Sequence, residues 1–412
     1  MTAPSLTELT LLAERAAGML AGEGQVTVTW ALGGPARAVC TVVEAGRAGR
    51  AETTELDDEH LRRAARAAAL HARQARAWPA PPPPEPALGR EHDGFDFSVL
   101  ALQAPDPRDG LALEWFPSAT RSAVASTSGV RSAEQRSRVV ARVRGERDGR
   151  VASVSVAAVG APEVAQAAAE VQALLGEGDA PGPFAVSVPA GRAMSPGERE
   201  PAVVLGPEAV ATVLGLLRSA FGVDLALGAT PLAGRRGTRV AAPAVNLSDC
   251  ARHSGTLPRS YDDEGVPRRP VSLIRDGVLD RGVHDTASAA KAGATSTGHS
   301  TRALALAPLA ENLVLAGGAV ADVPGLCADL AAGLFIPALE REGNGLVTSG
   351  AAVIAGGAIR GASGPLAVEV DPLAVLASVQ ALTSAQRLVA FAGDGGAVVP
   401  ALRAGSGVRR RK

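Results

Sequence analysis

The spacing of apolar residues changes along this chain, and the change limits the possible folds more than any other feature of the sequence. Up to about residue 190, segments with apolar side chains at helical spacing alternate with segments in which apolar and polar residues alternate singly. After about residue 221, short strand-like segments are separated by glycine and Asp-Gly turns. The pattern predicts an α+β fold: an N-terminal α/β domain with an antiparallel sheet, then a C-terminal β-rich domain with few helices.

Local signals predict individual elements. Ser5 and Glu8 have capping-box spacing, which predicts a helix over residues 5–21. In the rest of the N-terminal part we expect strands at residues 26–30 and 37–43, a helix over residues 57–78, a hairpin of residues 139–143 with 152–156, a helix over residues 162–175 and a strand over residues 184–190. In the C-terminal part we expect helices over residues 207–221, 322–332 and 372–382, and a hairpin that turns at Asp276-Gly277.

Two segments read as connectors. The sequence PAPPPPEP, residues 79–86, stops the preceding helix and predicts a stiff, extended chain. The sequence GRAMSPGEREP, residues 191–201, is polar and contains both glycine and proline, which favours a domain boundary. We therefore predict an N-terminal domain over residues 1–190, a linker over residues 191–203 and a C-terminal domain over residues 204–412.

Charge and cysteine content limit the partners and the compartment. The net charge is −1, so no basic field favours nucleic acid or an anionic membrane. The chain has no basic segment before its first apolar stretch, and its apolar runs are broken by charged residues and prolines. Its three cysteines, at positions 40, 250 and 327, form no Cys-x-x-Cys pair and suit a reducing compartment. We expect a cytoplasmic protein that binds neither nucleic acid nor membrane.

The acidic triplet Asp262, Asp263 and Glu264 is the first candidate site. Successive residues of an extended segment point to opposite sides, so at most two of these carboxylates could meet one metal ion, and the spacing is not that of a calcium loop. A loop that leads into a hairpin, with Gly265 at its turn, is the structural interpretation. A catalytic dyad of closely held carboxylates is the functional one. Ion pairs with Arg259, Arg268 and Arg269 could equally neutralise the triplet.

Other catalytic constellations are poorly represented. The loop KAGATSTGHSTR, residues 291–302, offers hydroxyls and main-chain N–H groups to a ligand, but no Gly-x-Ser-x-Gly elbow supports a serine nucleophile. None of the six histidines has another within a helical turn, so the chain has no zinc-binding helix. A site assembled from Asp249, Cys250 and His253 stays conceivable. The sequence GNGLVTSG, residues 343–350, lacks the spacing of a nucleotide loop and predicts a tight turn between strands.

Taken together, these segments resemble a known family. SYDDEGVPRRPVSLIRDGVL (residues 260–279), followed by HDTASAAKAGATSTGHSTR (residues 284–302), is similar to the TldD/PmbA family signature: an Asp-Asp-Glu-Gly-Val-Pro element, an Asn/Asp-Gly hairpin and a Ser-Thr-Gly element, in that order. The similarity continues through residues 311–336 and 343–359. It extends over essentially the whole chain and is strongest from about residue 205 to about residue 365.

The resemblance implies a two-domain subunit of a heterodimer that degrades or trims peptides, one partner being a zinc metallopeptidase. In the zinc-bearing TldD-type subunit, a His-Glu-x-x-x-His helix precedes the Asp-Asp-Glu-Gly element, and a cysteine near the C-terminus adds a ligand. The corresponding helix here, residues 207–221, has neither histidine nor cysteine, and no cysteine follows Cys327. The chain is thus similar to the PmbA/TldE-type subunit, which lacks the zinc motif.

From this resemblance we expect a non-catalytic subunit with no metal or other cofactor of its own, which pairs with a zinc-bearing TldD-like subunit and a peptide substrate. Two alternatives remain open: a stand-alone peptide-binding module, and a metal-independent hydrolase that uses the carboxylate loop. The residues that we expect at the peptide cleft or the subunit interface are Asp262, Asp263, Glu264, Gly265, Ser296, Thr297, Gly298, His299, Asn344 and Gly345.

Overall fold

The structure is a computed structural model that describes residues 3–74, 90–91, 110–148, 150–159, 162–177, 182–189, 200–222, 231–257, 259–301, 307–391 and 395–411. The helices within these ranges are α1 (Leu6–Ala17), α2 (Asp58–Gln74), α3 (Val164–Leu175), α4 (Pro207–Gly215), α5 (Thr286–Lys291), α6 (Val323–Cys327) and α7 (Pro372–Ala377). None of them combines the length and the apolar character that a bilayer crossing requires.

The N-terminal sheet is built from long antiparallel strands. Its strands are β1 (Glu23–Ala31), β2 (Arg37–Glu44), β3 (Arg47–Thr53), β4 (Arg90–Glu91), β5 (Leu111–Ser126), β6 (Arg131–Arg147) and β7 (Arg150–Ala158). They are ordered β3-β2-β1-β5-β6-β4, and β7 also pairs with β6; the short β4 alone runs parallel to its neighbour. Helices α1 and α2 share a core with β1, β2 and β5, whereas α3 packs on β6 and β7.

The C-terminal part contains several smaller sheets. The first strands are β8 (Val203–Leu205), β9 (Leu247–Asp249), β10 (Val271–Arg275), β11 (Val278–Leu279), β12 (Ser300–Thr301), β13 (Ala307–Pro308), β14 (Asn312–Leu315), β15 (Ala332–Ile336) and β16 (Ala338–Glu342). The others are β17 (Gly345–Ser349), β18 (Ala352–Ala355), β19 (Ala358–Ala362), β20 (Ala367–Val370), β21 (Val379–Leu382), β22 (Arg387–Ala390), β23 (Gly396–Val399), β24 (Leu402–Ala404) and β25 (Val408–Arg410).

Two six-stranded sheets organise this part of the chain. One has the order β11-β10-β9-β14-β23-β22 and the other β19-β18-β15-β8-β24-β21. A four-stranded sheet, β16-β17-β20-β25, and the pair β12-β13 complete the pairing seen in the described ranges. Most neighbours are antiparallel, and only β14–β23 and β15–β8 run parallel here. The expected α+β class, with a β-rich C-terminal part and short helices, is confirmed.

The cores consist mainly of small aliphatic side chains, as the aromatic content of 3% leads one to expect. Helix α4 is buried within the largest core, which also includes residues of both six-stranded sheets. A second core joins α3, β6 and β7 to β15, β18 and α6. This continuous apolar cluster contains residues from both sides of the predicted domain boundary. Residues 79–86 and 190–199, which include most of the predicted linker, lie outside the described residues.

Most helix predictions hold near their starts and fail at their ends, whereas the hairpin predictions are confirmed. Helix α1 ends four residues earlier than predicted, and α2 is described only as far as Gln74. Both predicted hairpins form: β6 pairs with β7, and β10 turns into β11 through Asp276 (φ 50°) and Gly277 (φ 76°). Residues 184–189 form no strand, so that prediction was wrong. Strands β3 and β5 were not predicted.

Three C-terminal helices are shorter than their sequence patterns indicate. Helix α4 ends at Gly215, and turns follow to residue 222. Helix α6 ends at Cys327, and α7 at Ala377. The residues that would continue α7 form β21, which pairs with β24. Sheet pairing therefore overrides the local helical spacing, which the sequence pattern alone does not reveal.

Helix α2 approaches β3 so closely that only glycine fits at Gly49. A Cβ there would lie 2.1 Å from Ala68 O and 2.1 Å from Ala72 N, both main-chain atoms. We expect Gly49→Ala to lower the free energy of unfolding by about 1–3 kcal/mol, because helix and sheet must separate. Gly34→Ala, where the nearest atom lies at 3.7 Å, is the matched control and should change it little. Urea unfolding of both variants tests this; equal effects would contradict the packing interpretation.

Candidate functional site

The acidic loop, the segment that carries the triplet Asp262, Asp263 and Glu264 and the adjacent Gly265, is fixed against the N-terminal sheet. The Tyr261 hydroxyl donates to Ser122 O on β5 (2.9 Å), and the Ser260 N–H donates to Glu134 Oε2 on β6 (2.5 Å). Gln25 Nε2 on β1 donates to Asp263 O (3.1 Å). The side chain of Tyr261 packs on Val124 and Val130. The loop therefore joins the N-terminal sheet to the C-terminal part of the chain.

The buried carboxylate of Asp262 stabilises the conformation of the acidic loop. Its Oδ1 accepts the N–H groups of Glu264 (2.9 Å) and Val266 (3.0 Å), and its Oδ2 accepts the Ser300 N–H (2.8 Å). Burial, together with the Glu264 carboxylate, raises the pKa of Asp262 to about 7, although these N–H donors favour the ionised form. Gly265 closes the turn at φ 76°, a backbone conformation that favours glycine.

The other two carboxylates of the triplet have hydrogen-bond partners different from those of Asp262. Asp263 Oδ1 accepts from Arg259 Nη2 (2.8 Å). Glu264 Oε2 accepts from both the N–H (3.0 Å) and the hydroxyl (2.6 Å) of Thr286, at the first residue of α5. Burial raises the pKa of Glu264, and the Thr286 hydrogen bonds oppose this. The three carboxylates therefore bind different groups of the chain, while Asp262 and Glu264 are close enough for the charge of Glu264 to raise the pKa of Asp262.

Glu311 is the centre of a buried ion-pair network behind this loop. Its Oε2 accepts from Arg259 Nη1 (2.6 Å) and also from Arg268 Nη2. Arg268 is 1% exposed, and burial lowers the pKa of its guanidinium to about 10. The predicted ion pair of Arg259 with the triplet is confirmed, whereas Arg268 pairs with Glu311 instead. A buried glutamate thus connects two arginines of the loop to the start of β14.

Asp249 and His299 form the deepest polar contact of the site. Their Oδ1 and Nε2 atoms lie 3.1 Å apart, without the angular geometry of a hydrogen bond, and both side chains are at most 1% exposed. Asp249 Oδ2 also accepts the N–H groups of Glu311 (2.6 Å) and Asn312 (3.1 Å). Burial lowers the pKa of His299. Burial raises that of Asp249, but His299 and Arg268 outweigh this effect and lower it overall.

The described residues of the loop 291–302, called the hydroxyl loop below, are ordered around the main chain of His284. Thr297 Oγ1 accepts the His284 N–H (2.7 Å), and Ser296 Oγ donates to His284 O (3.3 Å). Gly298 adopts φ 72°, and a Cβ there would lie 2.4 Å from Pro267 O. The hydroxyl loop therefore packs directly against the acidic loop. Both loops border His299, whose Nδ1 lies 2.9 Å from Thr297 O.

Two of the predicted cleft residues belong to a different region. Asn344 lies in the exposed turn between β16 and β17, and Gly345 is the first residue of β17. These strands are in the four-stranded sheet, which shares no described strand pairing with the sheet that contains Asp249. The predicted tight turn is present. The other eight predicted residues lie together in the acidic loop, the hydroxyl loop and at His299.

Helix α4 provides one metal-ligating side chain, Glu208. That side chain is partly buried, and one carboxylate oxygen, Oε1, accepts the Ser155 N–H from β7 (2.8 Å). Burial raises the pKa of Glu208 to about 7, and the hydrogen bond from Ser155 and the charge of Arg387 oppose this. The rest of the helix is Pro, Ala, Val, Thr, Leu and Gly. This donor set does not fit a zinc ion, which takes imidazole and thiolate ligands as well as carboxylates.

One other group of potential ligands occurs in the described ranges. Glu55, Asp57 and His60 hold their ligand atoms within 4.8 Å of one another at the start of α2. The two carboxylates are exposed and contact the two ring nitrogens of His60. The scattered set suggested by the sequence is not assembled, because Asp249 faces His299 and His253 Nδ1 accepts the Gly255 N–H.

Sequence reasoning missed the roles of the residues that hold the site together. Glu311 and Glu134 were not singled out, and Asp249 was named only as part of a scattered metal site; Asp249 ends β9, Glu311 precedes β14 and Glu134 lies in the N-terminal sheet. The one available signal was a charged residue next to an apolar strand, as in "ENLVL" and "NLSD". That signal is common on protein surfaces and therefore not specific.

Solved structures with the same fold carry related descriptions. The chain is similar to TldE from Thermococcus kodakarensis, with a TM-score of 0.72 and 18% identity over 99% of this chain and 100% of that one. A putative modulator of a DNA gyrase from Thermotoga maritima has a TM-score of 0.70 and 16% identity over 94% of both chains. Another putative modulator of DNA gyrase, from Bacteroides thetaiotaomicron, has a TM-score of 0.67 and 15% identity over 98% of both chains. No curated protein matches by sequence.

These similarities define a protein with the TldE fold. A family model described as the PmbA/TldA metallopeptidase C-terminal domain matches residues 198–407, which include the acidic loop, the hydroxyl loop and α4. The chain belongs to the PmbA/TldD family of metallopeptidases. The family resemblance of its sequence motifs is thereby confirmed.

The Glu311 network predicts a large stability loss on removal of its charge. We expect Glu311→Gln to lower the free energy of unfolding by about 3–5 kcal/mol, because two buried guanidinium groups lose their shared carboxylate. The matched control is Glu369→Gln, which removes an exposed carboxylate 3.7 Å from Arg411 and should cost less than about 1 kcal/mol. Denaturant unfolding at neutral pH measures both. Similar small losses would contradict the assigned role of Glu311.

The raised pKa of Glu208 predicts a pH-dependent stability. Because the folded-state pKa is about 7 and the ordinary value is 4.5, the folded state binds the proton more tightly, and stability falls as the pH rises between these values. We expect the free energy of unfolding of Glu208→Gln to exceed that of the wild type by about 3 kcal/mol at about pH 8 and to equal it at about pH 4. Glu340→Gln, on the exposed end of β16, is the control. A pH-independent difference for Glu208→Gln would contradict the assignment.

Proposed function

We propose that this chain is a metal-free, non-catalytic subunit that completes a peptide cleft in a heterodimeric zinc metallopeptidase. The observation that carries the proposal is the composition of α4. This helix offers no imidazole or thiolate, and its one carboxylate accepts a hydrogen bond from β7. The zinc ion and its activated water would then belong to a TldD-like partner subunit. Peptide degradation or peptide maturation is the activity of the assembly.

The acidic loop supports a structural role for its carboxylates. Asp262, Asp263 and Glu264 each accept hydrogen bonds from other groups of the chain, and those partners tie the loop to α5 and to the region of β12. A general acid or base needs a proton path to the substrate. These contacts favour the subunit over a metal-independent hydrolase, for which Asp263→Asn would abolish turnover by the purified chain.

The hydroxyl loop supports a role in peptide binding. Ser296 and Thr297 border an open cavity of about 590 Å³, a size common for ligand sites. His284, whose main chain holds both hydroxyls, is also part of its wall. A peptide that enters here would lie against the ordered hydroxyls of Ser296 and Thr297. We expect this assembly in the cytoplasm, without nucleic acid or membrane.

The proposal predicts that zinc binding and peptidase activity require the TldD-like partner subunit. The purified chain should hold far less than one zinc ion per molecule and should not cleave peptides. Co-expression with a family member that carries His-Glu-x-x-x-His should give a stable heterodimer that binds zinc and cleaves peptides. Elemental analysis, size-exclusion chromatography and a peptidase assay measure these outcomes. A partner variant with both motif histidines replaced by alanine is the control, and its complex should form without activity.

Two results would contradict this proposal. Stoichiometric zinc held tightly by the isolated chain would assign the metal to this subunit. Peptide binding by the isolated chain, with no complex formed in the presence of the zinc-bearing family member, would indicate a stand-alone peptide-binding module instead.

A further inference from the structure

The charged side chains that line the cavity beside the hydroxyl loop are all basic. Four basic side chains contribute to its wall: Arg236, Arg269, Arg281 and Lys291. No aspartate or glutamate lines it in the part of the chain that the structure describes. The whole chain has a net charge of −1, so this local excess does not follow from a basic composition. A concave surface with charges of one sign attracts a ligand of the opposite sign.

Acidic groups near Arg236 and Arg281 neutralise the charge of these two side chains only in part. Arg236 Nε donates to the main-chain O of Asp280 (2.9 Å), which is a neutral acceptor. The Asp280 carboxylate lies 3.7 Å from Arg281 Nε and 3.2 Å from Arg275 Nη2, so two arginines share it. Both Arg236 and Arg281 are exposed, and a guanidinium can turn toward a ligand in the cavity.

The remainder of the wall suits a polar ligand without adding negative charge. Burial and the charge of Arg236 lower the pKa of His284, against the effect of Asp285, so the imidazole is neutral at pH 7 and can both donate and accept. The hydroxyls of Ser296 and Thr297 are held by the His284 main chain. The polar groups of this wall are therefore ordered before a ligand arrives, which reduces the entropic cost of binding.

We infer that this cavity binds a carboxylate of a peptide, either its C-terminal carboxylate or an acidic side chain. The inference rests on the proposed function for the peptide, whereas the preference for an anion comes from Arg236, Arg281 and the absence of acidic groups from the described wall. Guanidinium groups match the planar geometry of a carboxylate. The peptide substrates of the assembly are therefore acidic peptides or peptides with a free C-terminus.

The test compares short fluorescent peptides that differ in one group. One has a neutral sequence and a free C-terminal carboxylate; one has the same sequence, a C-terminal amide and a single glutamate; the reference has the amide and no acidic residue. Fluorescence anisotropy with the full chain should give tighter binding for at least one acidic peptide, and the stronger of the two identifies the source of the carboxylate. This preference should weaken between about 0.05 M and about 0.5 M salt because the contact is electrostatic.

Matched arginine variants locate the binding site. Arg236→Gln and Arg281→Gln should each weaken the binding of the acidic peptide about fivefold and leave the reference peptide unchanged. The control is Arg239→Gln: Arg239 is exposed and donates to the main-chain O of Asp276 (3.1 Å), but it does not line the cavity. Its affinity should equal that of the wild type. Thermal unfolding checks that all three variants fold.

The outcomes separate this inference from the proposed function. The inference is overturned if neither the chain nor its complex prefers an acidic peptide to the reference, or if Arg239→Gln weakens binding as much as Arg236→Gln. In those cases a zinc-dependent heterodimer would still support the proposed function. Conversely, binding of acidic peptides by a chain that forms no complex supports the cavity and refutes the subunit.

Discussion

The pairing of Glu311 with Arg259 and Arg268 is the interaction on which the site depends. Both arginines come from the loop between β9 and β10, and Glu311 directly precedes β14, so the three side chains attach an irregular segment to the centre of a sheet. Buried charges are costly unless each has a partner. This requirement fixes the path of the loop and therefore the direction of each acidic side chain. The contacts of the hydroxyl loop then follow, because Gly298 packs on Pro267 of the same segment.

The sequence predicts the elements that depend on neighbouring residues, and it fails for those that depend on distant strands. The capping box of α1 and the Asp-Gly turn after β10 depend on residues within a few positions, and both form as expected. The end of α7 depends on the pairing of β21 with the distant strand β24, so helical spacing fails there. The long strand β5 has a weak alternation of its own. It is stabilised by pairing with β1 and β6, which a local pattern does not encode.

In the candidate site, too, the sequence predicts the motif residues but not the residues that contact them. The motif residues Asp262 to Gly265 and Ser296 to His299 do lie together, because Asp262 accepts the Ser300 N–H and Gly298 packs on Pro267. Their partners Asp249, Glu134 and Glu311 come from three separate strands or strand ends, and no spacing links them to the motif. The sequence also did not predict the positive charge of the cavity, because Arg236 and Arg281 become neighbours only through the turn around β11.

The burial of α4 has an evolutionary consequence. Its alanines and valines at positions 209, 210, 211 and 213 are at most 2% exposed, so there is no free volume beside them for a larger ring. An imidazole introduced on this helix would crowd the surrounding side chains, and the chain would need several compensating changes before it could retain an ion. Single mutations at these four positions therefore cannot add a metal-ligating ring without disturbing the core. The tight packing around α4 therefore restricts these four positions to small apolar side chains.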